Sequence, residues 1–405
     1  MVVDDVTCDL RSMNAQKIAA SVLARIANLA LVLLALLIFV VPGRSELFET
    51  KASSAYMIDA ETGTVLFSKA PDQLFPPASL AKLMTIELVF QALKNGHLSL
   101  DQTFPVSEYA WRTGGAPSRT ATMFAAVNSS VPVEALIQGI IVQSANDGCI
   151  VIAQGMAGSE ENFARMMTER ARELGLTAST FVNSTGLPAE GQWVTARELT
   201  QLAQHLWQTY PSYYRYFSQP AFEWNNIFQR NRNPLLTRNI GADGLKTGFT
   251  EESGYSIVAS AARGGRRLFV TLAGMESEEE REEEASRLLD WGMTAFEKRQ
   301  IFAANEIVGE AQVYGGEREK VTLRTDAELT ALVPTEEGSI SGRIIYEGPV
   351  PAPIEEGSQI ARLELRVGDT RSHQAPLYAA ETVDRGSLRQ RAQGAVWELL
   401  VGWLR

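Results

Sequence analysis

At 405 residues, 45% hydrophobic and 21% charged, the chain is long enough for two domains with sizeable cores and has ordinary globular composition, which excludes disorder. A net charge of -11 with no basic cluster excludes a nucleic-acid binder, which needs a positive face to release phosphate counterions. Two cysteines, Cys8 and Cys149, and three scattered histidines, His97, His205 and His373, provide neither a disulfide framework nor a zinc-ligand spacing, so no metal and no cofactor is expected.

Residues Ile26 to Val41, IANLALVLLALLIFVV, form an uncharged run preceded by Lys17 and Arg25 and followed by Pro42 and Gly43. That pattern predicts export, with residues 1–45 either a signal peptide cleaved after Ser45 or an uncleaved anchor. SSAYMIDAETGTVLFSK then alternates around Glu-Thr-Gly and predicts a β-hairpin over about Ala55 to Lys69.

PPASLAKLMT follows, with Ser79 and Lys82 at i and i+3 where an apolar helix opens. One helical face holds both, so the amine can reach the hydroxyl and, if neutral, accept its proton. Lysine needs burial or a neighbouring cation to be neutral near pH 7, and the competing reading is a plain helix start with a solvent lysine. Helical patterns continue to about Tyr214. Among them QSANDG sets Ser144 and Asn146 at a turn between two apolar helices, where they either face a cleft or cap the next helix.

GLKTGFT places Lys246, Thr247 and Gly248 along a strand, where the glycine allows another segment to approach and a free edge could pair an extended peptide. GYSIVASAAR and RRLFVTLAGM flank Gly264-Gly265, a two-residue hairpin signal. Glu276 to Glu284 leads into SRLLDWGMTAF, an amphipathic helix using residues 288, 289, 293 and 296. Strands at both ends of a helical middle predict an α+β domain with an antiparallel sheet over residues 48–299. Short β-like pieces separated by Gly, Pro and acidic residues predict a small all-β domain over 300–380. In residues 386–405, Leu388, Ala392, Val396, Leu399, Leu400 and Trp403 make one stripe opposite Arg389 and Arg391, as in a helix lying on an anionic membrane surface.

Ser-x-x-Lys, Ser-x-Asn and Lys-Thr-Gly, in this order, resemble the three motifs of penicillin-binding proteins and serine β-lactamases. AYMIDAETGTVL, PPASLAKLMT, the SANDG turn, the β domain and the amphipathic tail narrow the resemblance to the low-molecular-mass D-alanyl-D-alanine carboxypeptidases, the S11 peptidase group, from about Phe48 onward.

The resemblance implies a β-lactamase/transpeptidase-like fold with a helical subdomain. It also implies that Ser79 attacks the carbonyl between the terminal D-alanines of a peptidoglycan stem, with Lys82 as base and β-lactams trapped at the same step. By the same resemblance Ser144 and Asn146 relay a proton and hold the substrate amide, Lys246 adds positive potential, and Thr247 with Arg281 binds the terminal carboxylate. The N–H groups of Ser79 and Phe249 would form the oxyanion hole. Lys246 and Arg281 would depress the Lys82 pKa through like charge. The implied place is the periplasm, attached to the outer face of the inner membrane. Phe249 stands where several members carry histidine, and Pro188 and Glu190 stand near a position where members often carry aspartate. A D,D-endopeptidase, a β-lactamase and a slow penicillin-binding scaffold are the alternatives.

Overall fold

The computed structural model describes residues 48–335, 340–367 and 370–392. The apolar run at 26–41 lies outside them, as does most of the amphipathic tail, of which Leu388 to Ala392 is helical. Among the described residues no helix is long and apolar enough to cross a membrane.

The first hairpin pairs β1 (Ser54–Asp59) with β2 (Val65–Lys69). Its turn is held by the Asp59 carboxylate, which accepts from the Thr62 backbone N–H and hydroxyl at 2.7 Å each, and by Gly63 at φ 68°. Three strands from the far end of the domain complete the sheet: β3 (Ala242–Thr250), β4 (Gly254–Arg263) and β5 (Arg266–Met275). The order is β2-β1-β5-β4-β3 and all pairings are antiparallel. Gly264 and Gly265 turn β4 into β5 at φ 60° and 81°, left-handed at both positions as a type I′ turn demands.

Side-chain alternation assigns the two faces. Tyr56 and Thr271 are cross-strand partners on one, where Thr200 of the helix α4 (Ala196–Thr209) bonds the Thr271 hydroxyl at 2.8 Å. Met57 and Leu268 share the other, beneath Gly292 of α5 (Glu278–Thr294); a Cβ at Gly292 would lie 2.6 Å from Met57 Cε. Helices therefore cover both faces, which is why every residue of β1 is buried. The Glu-rich start of α5 places carboxylates at a helix N-terminus, capped by the Ser277 side chain. Phe296, expected on this helix, begins the next strand.

The helical subdomain is built around α1 (Lys82–Lys94), in which every residue from Lys82 to Phe90 is buried; α2 (Asn146–Ala157) and α3 (Glu160–Glu173) pack on it. A helix buried all round has no tolerance for a lone charge. Glu87 carries one at 0% exposure. One of its oxygens accepts from Arg170 (2.8 Å), Tyr210 (2.9 Å) and His205 (3.3 Å). Burial alone would push this carboxyl up, but His205 and Arg170 together hold it below the usual range.

The second domain begins at β6 (Phe296–Phe302), ahead of the composition change, because in FEKRQIF only Phe296 is buried and Glu297 to Gln300 are all exposed, so the segment reads as a continuation of the helix surface. β6 pairs β9 (Leu329–Pro334), while β7 (Ile307–Tyr314), β8 (Lys320–Arg324), β10 (Ile340–Ile345), β11 (Val350–Pro351), β12 (Gln359–Val367) and β13 (Thr370–Ala379) form a sheet ordered β10-β12-β13-β8-β7-β11. This all-β domain has its own core, including Val321, Leu323, Leu363 and Leu377. It meets the first hairpin where Leu332 N–H donates to Thr64 Oγ1 and Ser372 Oγ to the Val65 carbonyl, each at 3.3 Å.

Candidate active site

Ser79 does not sit on α1 itself. It lies in a 3₁₀ turn, Ala78–Ala81, that runs into α1 at Lys82, and the residue before it, Ala78, is held at φ 49° in the left-handed region that costs a non-glycine residue free energy. The constraint comes from the loop at 183–187. Gly186, at φ 77°, lies so close that a Cβ there would be 1.7 Å from the Ala78 carbonyl oxygen. The same loop is folded by Asn183, whose Oδ1 accepts from the N–H groups of Thr185 (3.2 Å) and Gly186 (2.7 Å).

Lys82 Nζ lies 2.9 Å from Ser79 Oγ and donates to the Thr185 carbonyl. Lys82 is 1% exposed, so this is no solvent lysine on a helix start. Burial pushes its pKa down to about 8, and the Arg232 charge adds to that against opposing contributions from Cys149 and Glu160. Burial leads, Arg232 adds a cation that the sequence reading did not expect, and the expected like-charge repulsion between Lys82 and Lys246 is present as well and lowers Lys246. Spacing gave the hydroxyl–amine contact but could not show which distant cation approaches.

The second pair stands at a helix junction. Gly139–Gln143 forms a π-turn ending at Ser144, at φ 63°, and α2 begins at Asn146. The N-cap of α2 is Ala145 and no side chain caps it, so neither Ser144 nor Asn146 is there to cap. Both are buried, and among the described residues Ser144 Oγ and Asn146 Oδ1 have no hydrogen-bond partner. Polar atoms left so cost free energy in the resting protein and stand ready for a ligand. Asn146 Nδ2 donates to Thr120 Oγ1 at 2.9 Å. Asp147 steadies the turn, accepting from Thr122 Oγ1 (2.6 Å) and the N–H groups of Met123 and Ala125 (3.0 Å each).

Lys246, Thr247 and Gly248 lie on β3, the edge of the sheet, as their sequence context predicts. A Cβ on Gly248 would lie 3.1 Å from Leu80 Cγ and 3.2 Å from Ala78 Cβ, so the segment for which this glycine makes room is the Ser79 turn. Lys246 is 3% exposed and its Nζ donates to the Thr247 carbonyl at 3.1 Å. Burial, then Lys82 and Arg232, hold its pKa well below the lysine range, with Arg281 a smaller contributor. Phe249 is half exposed and packs on Tyr255 at 4.3 Å; the Arg281 guanidinium lies 5.6 Å from that same ring. Arg281 is 6% exposed and among the described residues its Nε has no hydrogen-bond partner. Pro188 and Glu190 are exposed.

The first and third motifs, more than 160 residues apart, therefore meet: Gly248 packs on the Ser79 turn, and Lys82, Lys246, Arg232 and Arg281 concentrate positive charge in an acidic protein. Among the described residues no cluster of His, Cys, Asp or Glu suits a metal ion. Cys149 is fully buried, and burial pushes its thiol up to about 12. Sequence reasoning missed Thr185, Arg232 and Thr120. Each comes from a loop with no periodic pattern, although the Asn-Ser-Thr-Gly run at 183–186 carries a turn signal.

A family model described as D-alanyl-D-alanine carboxypeptidase matches residues 42–276, and one for the C-terminal domain of penicillin-binding protein 5 matches residues 296–385. The D-alanyl-D-alanine carboxypeptidase DacC of Escherichia coli (strain K12) is 33% identical over 85% of this chain and 86% of its own length. The crystal structure of penicillin binding protein 5 from Haemophilus influenzae is 30% identical with a TM-score of 0.67, covering 84% of this chain and 99% of that one. That of penicillin binding protein 6B from Escherichia coli is 31% identical with a TM-score of 0.63, over 83% and 97%. The chain belongs to the D-alanyl-D-alanine carboxypeptidase family, the S11 group of serine peptidases.

Proposed function

We infer that this chain is a D-alanyl-D-alanine carboxypeptidase that removes the terminal D-alanine from peptidoglycan stems and is acylated by β-lactams. The observation that carries the reading is the buried Lys82 amine, 2.9 Å from Ser79 Oγ and lowered to about 8, because a hydroxyl becomes a nucleophile only beside a base that is partly neutral at working pH.

In the proposed reaction the Ser79 hydroxyl gives its proton to Lys82 Nζ as Oγ bonds the carbonyl carbon between the two D-alanines. The N–H groups of Ser79 and Phe249 receive the developing oxyanion, a contribution commonly of about 3 to 4 kcal/mol. The C–N bond then breaks and the leaving amine takes a proton through Ser144. Water hydrolyses the acyl-enzyme, restoring Ser79. Asn146, with its free Oδ1, holds the substrate amide, while Lys246, Thr247, Gly248 and Arg281 form the carboxylate side of the cleft. A β-lactam opens on Ser79 by the same first step.

Export, residence in the periplasm on the outer face of the inner membrane, and attachment by residues 386–405 complete the proposal. They rest on the apolar run at 26–41 and on the stripe of the tail. The names of the relatives favour the carboxypeptidase over an endopeptidase, a β-lactamase or a scaffold.

Incubating the protein with a fluorescent penicillin and with diacetyl-Lys-D-Ala-D-Ala, beside Ser79→Ala, tests the reading. Labelling and D-alanine release, both lost in the variant, are expected; labelling without release points to another role for the same nucleophile, and no labelling overturns the assignment.

A further inference from the structure

The Lys82 amine is held by a loop, and the loop is held by a carboxylate that the catalytic reading leaves unused. Glu160 opens α3 beside Glu161, where both complement the helix dipole behind the Ser159 cap. Glu161 is exposed, as a solvated helix start should be, but Glu160 is half-buried and turns toward the loop at 183–187. Its Oε1 accepts from the Ser184 N–H at 3.1 Å and from the Ser184 hydroxyl at 2.7 Å. The Ser184 carbonyl accepts from Thr85 Oγ1 at 2.7 Å, and Thr85 lies one turn along α1 from Lys82. Every polar group of Ser184 is therefore engaged, and the next residue is Thr185, whose carbonyl accepts from Lys82 Nζ.

That carbonyl governs how the amine can act. A neutral amine has two N–H groups and one lone pair, and a carbonyl can only accept. With an N–H committed to Thr185, the lone pair is left for the Ser79 hydroxyl, 2.9 Å away. The charge around the amine comes from several elements: Cys149 on α2, Glu160 on α3, Lys246 on β3 and Arg232 in the loop ahead of β3. Arg232 works with burial to favour the neutral amine, and Glu160 works against them. The second Glu160 oxygen accepts from the Tyr109 hydroxyl at 3.3 Å.

We propose that Glu160 is a positioning residue for the Lys82 base: through Ser184 it fixes the carbonyl that orients the amine, and through its own charge it sets how far the pH must rise before acylation runs at full rate. One action travels through bonds and the other through space, so the two separate experimentally. Removing the charge while keeping an acceptor brings in the neutral base at lower pH. Removing a donor while keeping the charge loosens the carbonyl and leaves the pH dependence in place. The proposal rests on the Ser79–Lys82 reading and adds the group that regulates that pair.

The test uses the full chain and the second-order rate constant for acylation by a fluorescent penicillin, followed across the bend near pH 8. Glu160→Gln keeps an oxygen for Ser184 and discards the charge. Its rate at about pH 6, relative to its own plateau, should exceed the parent's by about two- to fivefold, with the bend moved to lower pH. Ser184→Ala keeps the charge and loses one of the two bonds to it, so its plateau should fall about three- to tenfold while its bend stays with the parent's. A Glu160→Gln bend that stays in place or moves up overturns the proposal, because a carboxylate that only braces the loop changes the plateau alone. A Ser184→Ala plateau equal to the parent's overturns it as well. Failure of the catalytic reading is distinct, since the parent would then take up no label at any pH.

Discussion

Rate against pH is the direct probe of the Ser79–Lys82 pair. With a Lys82 pKa of about 8, the neutral fraction is about 1% at pH 6, about 10% at pH 7 and half at pH 8. A solvent lysine at 10.5 would be about 300-fold less neutral at pH 7, so the site, chiefly through burial, supplies about 3 kcal/mol toward a competent base. The sign follows from which form works: a lowered pKa makes the base available from below neutrality upward. The second-order rate constant for acylation by a fluorescent penicillin should climb almost tenfold from pH 6 to 7, bend near 8 and level above about 9. Lys82→Arg, which keeps the charge and cannot deprotonate, should lose at least about a thousandfold. Acylation independent of pH between 6 and 9, a bend near 10, or an arginine variant within tenfold of the parent would refute the reasoning.

Gly186→Ala combines a φ of 77° with a Cβ 1.7 Å from the Ala78 carbonyl, so the Ser79 turn must move; urea denaturation should show a loss of about 3 kcal/mol or more, and penicillin acylation should fall at least about a hundredfold. Glu87→Gln removes the charge that pairs Arg170 and His205, and thermal unfolding should report a loss of about 3 kcal/mol at pH 7. Because the Glu87 pKa is lowered in the folded state, its contribution is present above about pH 4.5 and lost as pH falls further, so the variant's stability should depend less on pH in that acid window. Iodoacetamide at pH 8 should leave penicillin acylation unchanged for hours, because Cys149 is fully buried with its pKa raised; inactivation that tracks carboxymethylation of Cys149 would contradict that placement.

What the sequence disclosed about the site was short-range. Ser79 and Lys82 share a helical repeat, Ser144 and Asn146 a turn, and Lys246 to Gly248 a strand, so each motif's local geometry was readable from spacing, and their order carried the family resemblance. The Gly264-Gly265 hairpin and the acidic run leading into α5 were readable for the same reason. What was not readable depends on contacts between distant segments: Arg232 as the cation acting on Lys82, Thr185 as its carbonyl partner, Thr120 on Asn146. The π-turn before Ser144 has no signature in GIIVQ, whose residues suit an ordinary helix equally well. Glu87 could have been found, since a lone carboxylate inside LMTIELVF must have partners, but nothing local names Arg170, His205 and Tyr210 as those partners.

The order of the sheet also has a bearing on how the protein is made. β1 takes its place only when β5 is available to pair with it, and β3, which carries Lys246, is added beyond β4. A chain emerging N-terminus first thus presents Ser79 long before the strands that must embrace it exist. Until β3 has appeared Lys82 lacks its neighbour Lys246, and because β3 reaches β1 only through β4 and β5, the nucleophile and its binding edge are joined in one sheet only once about Met275 has emerged.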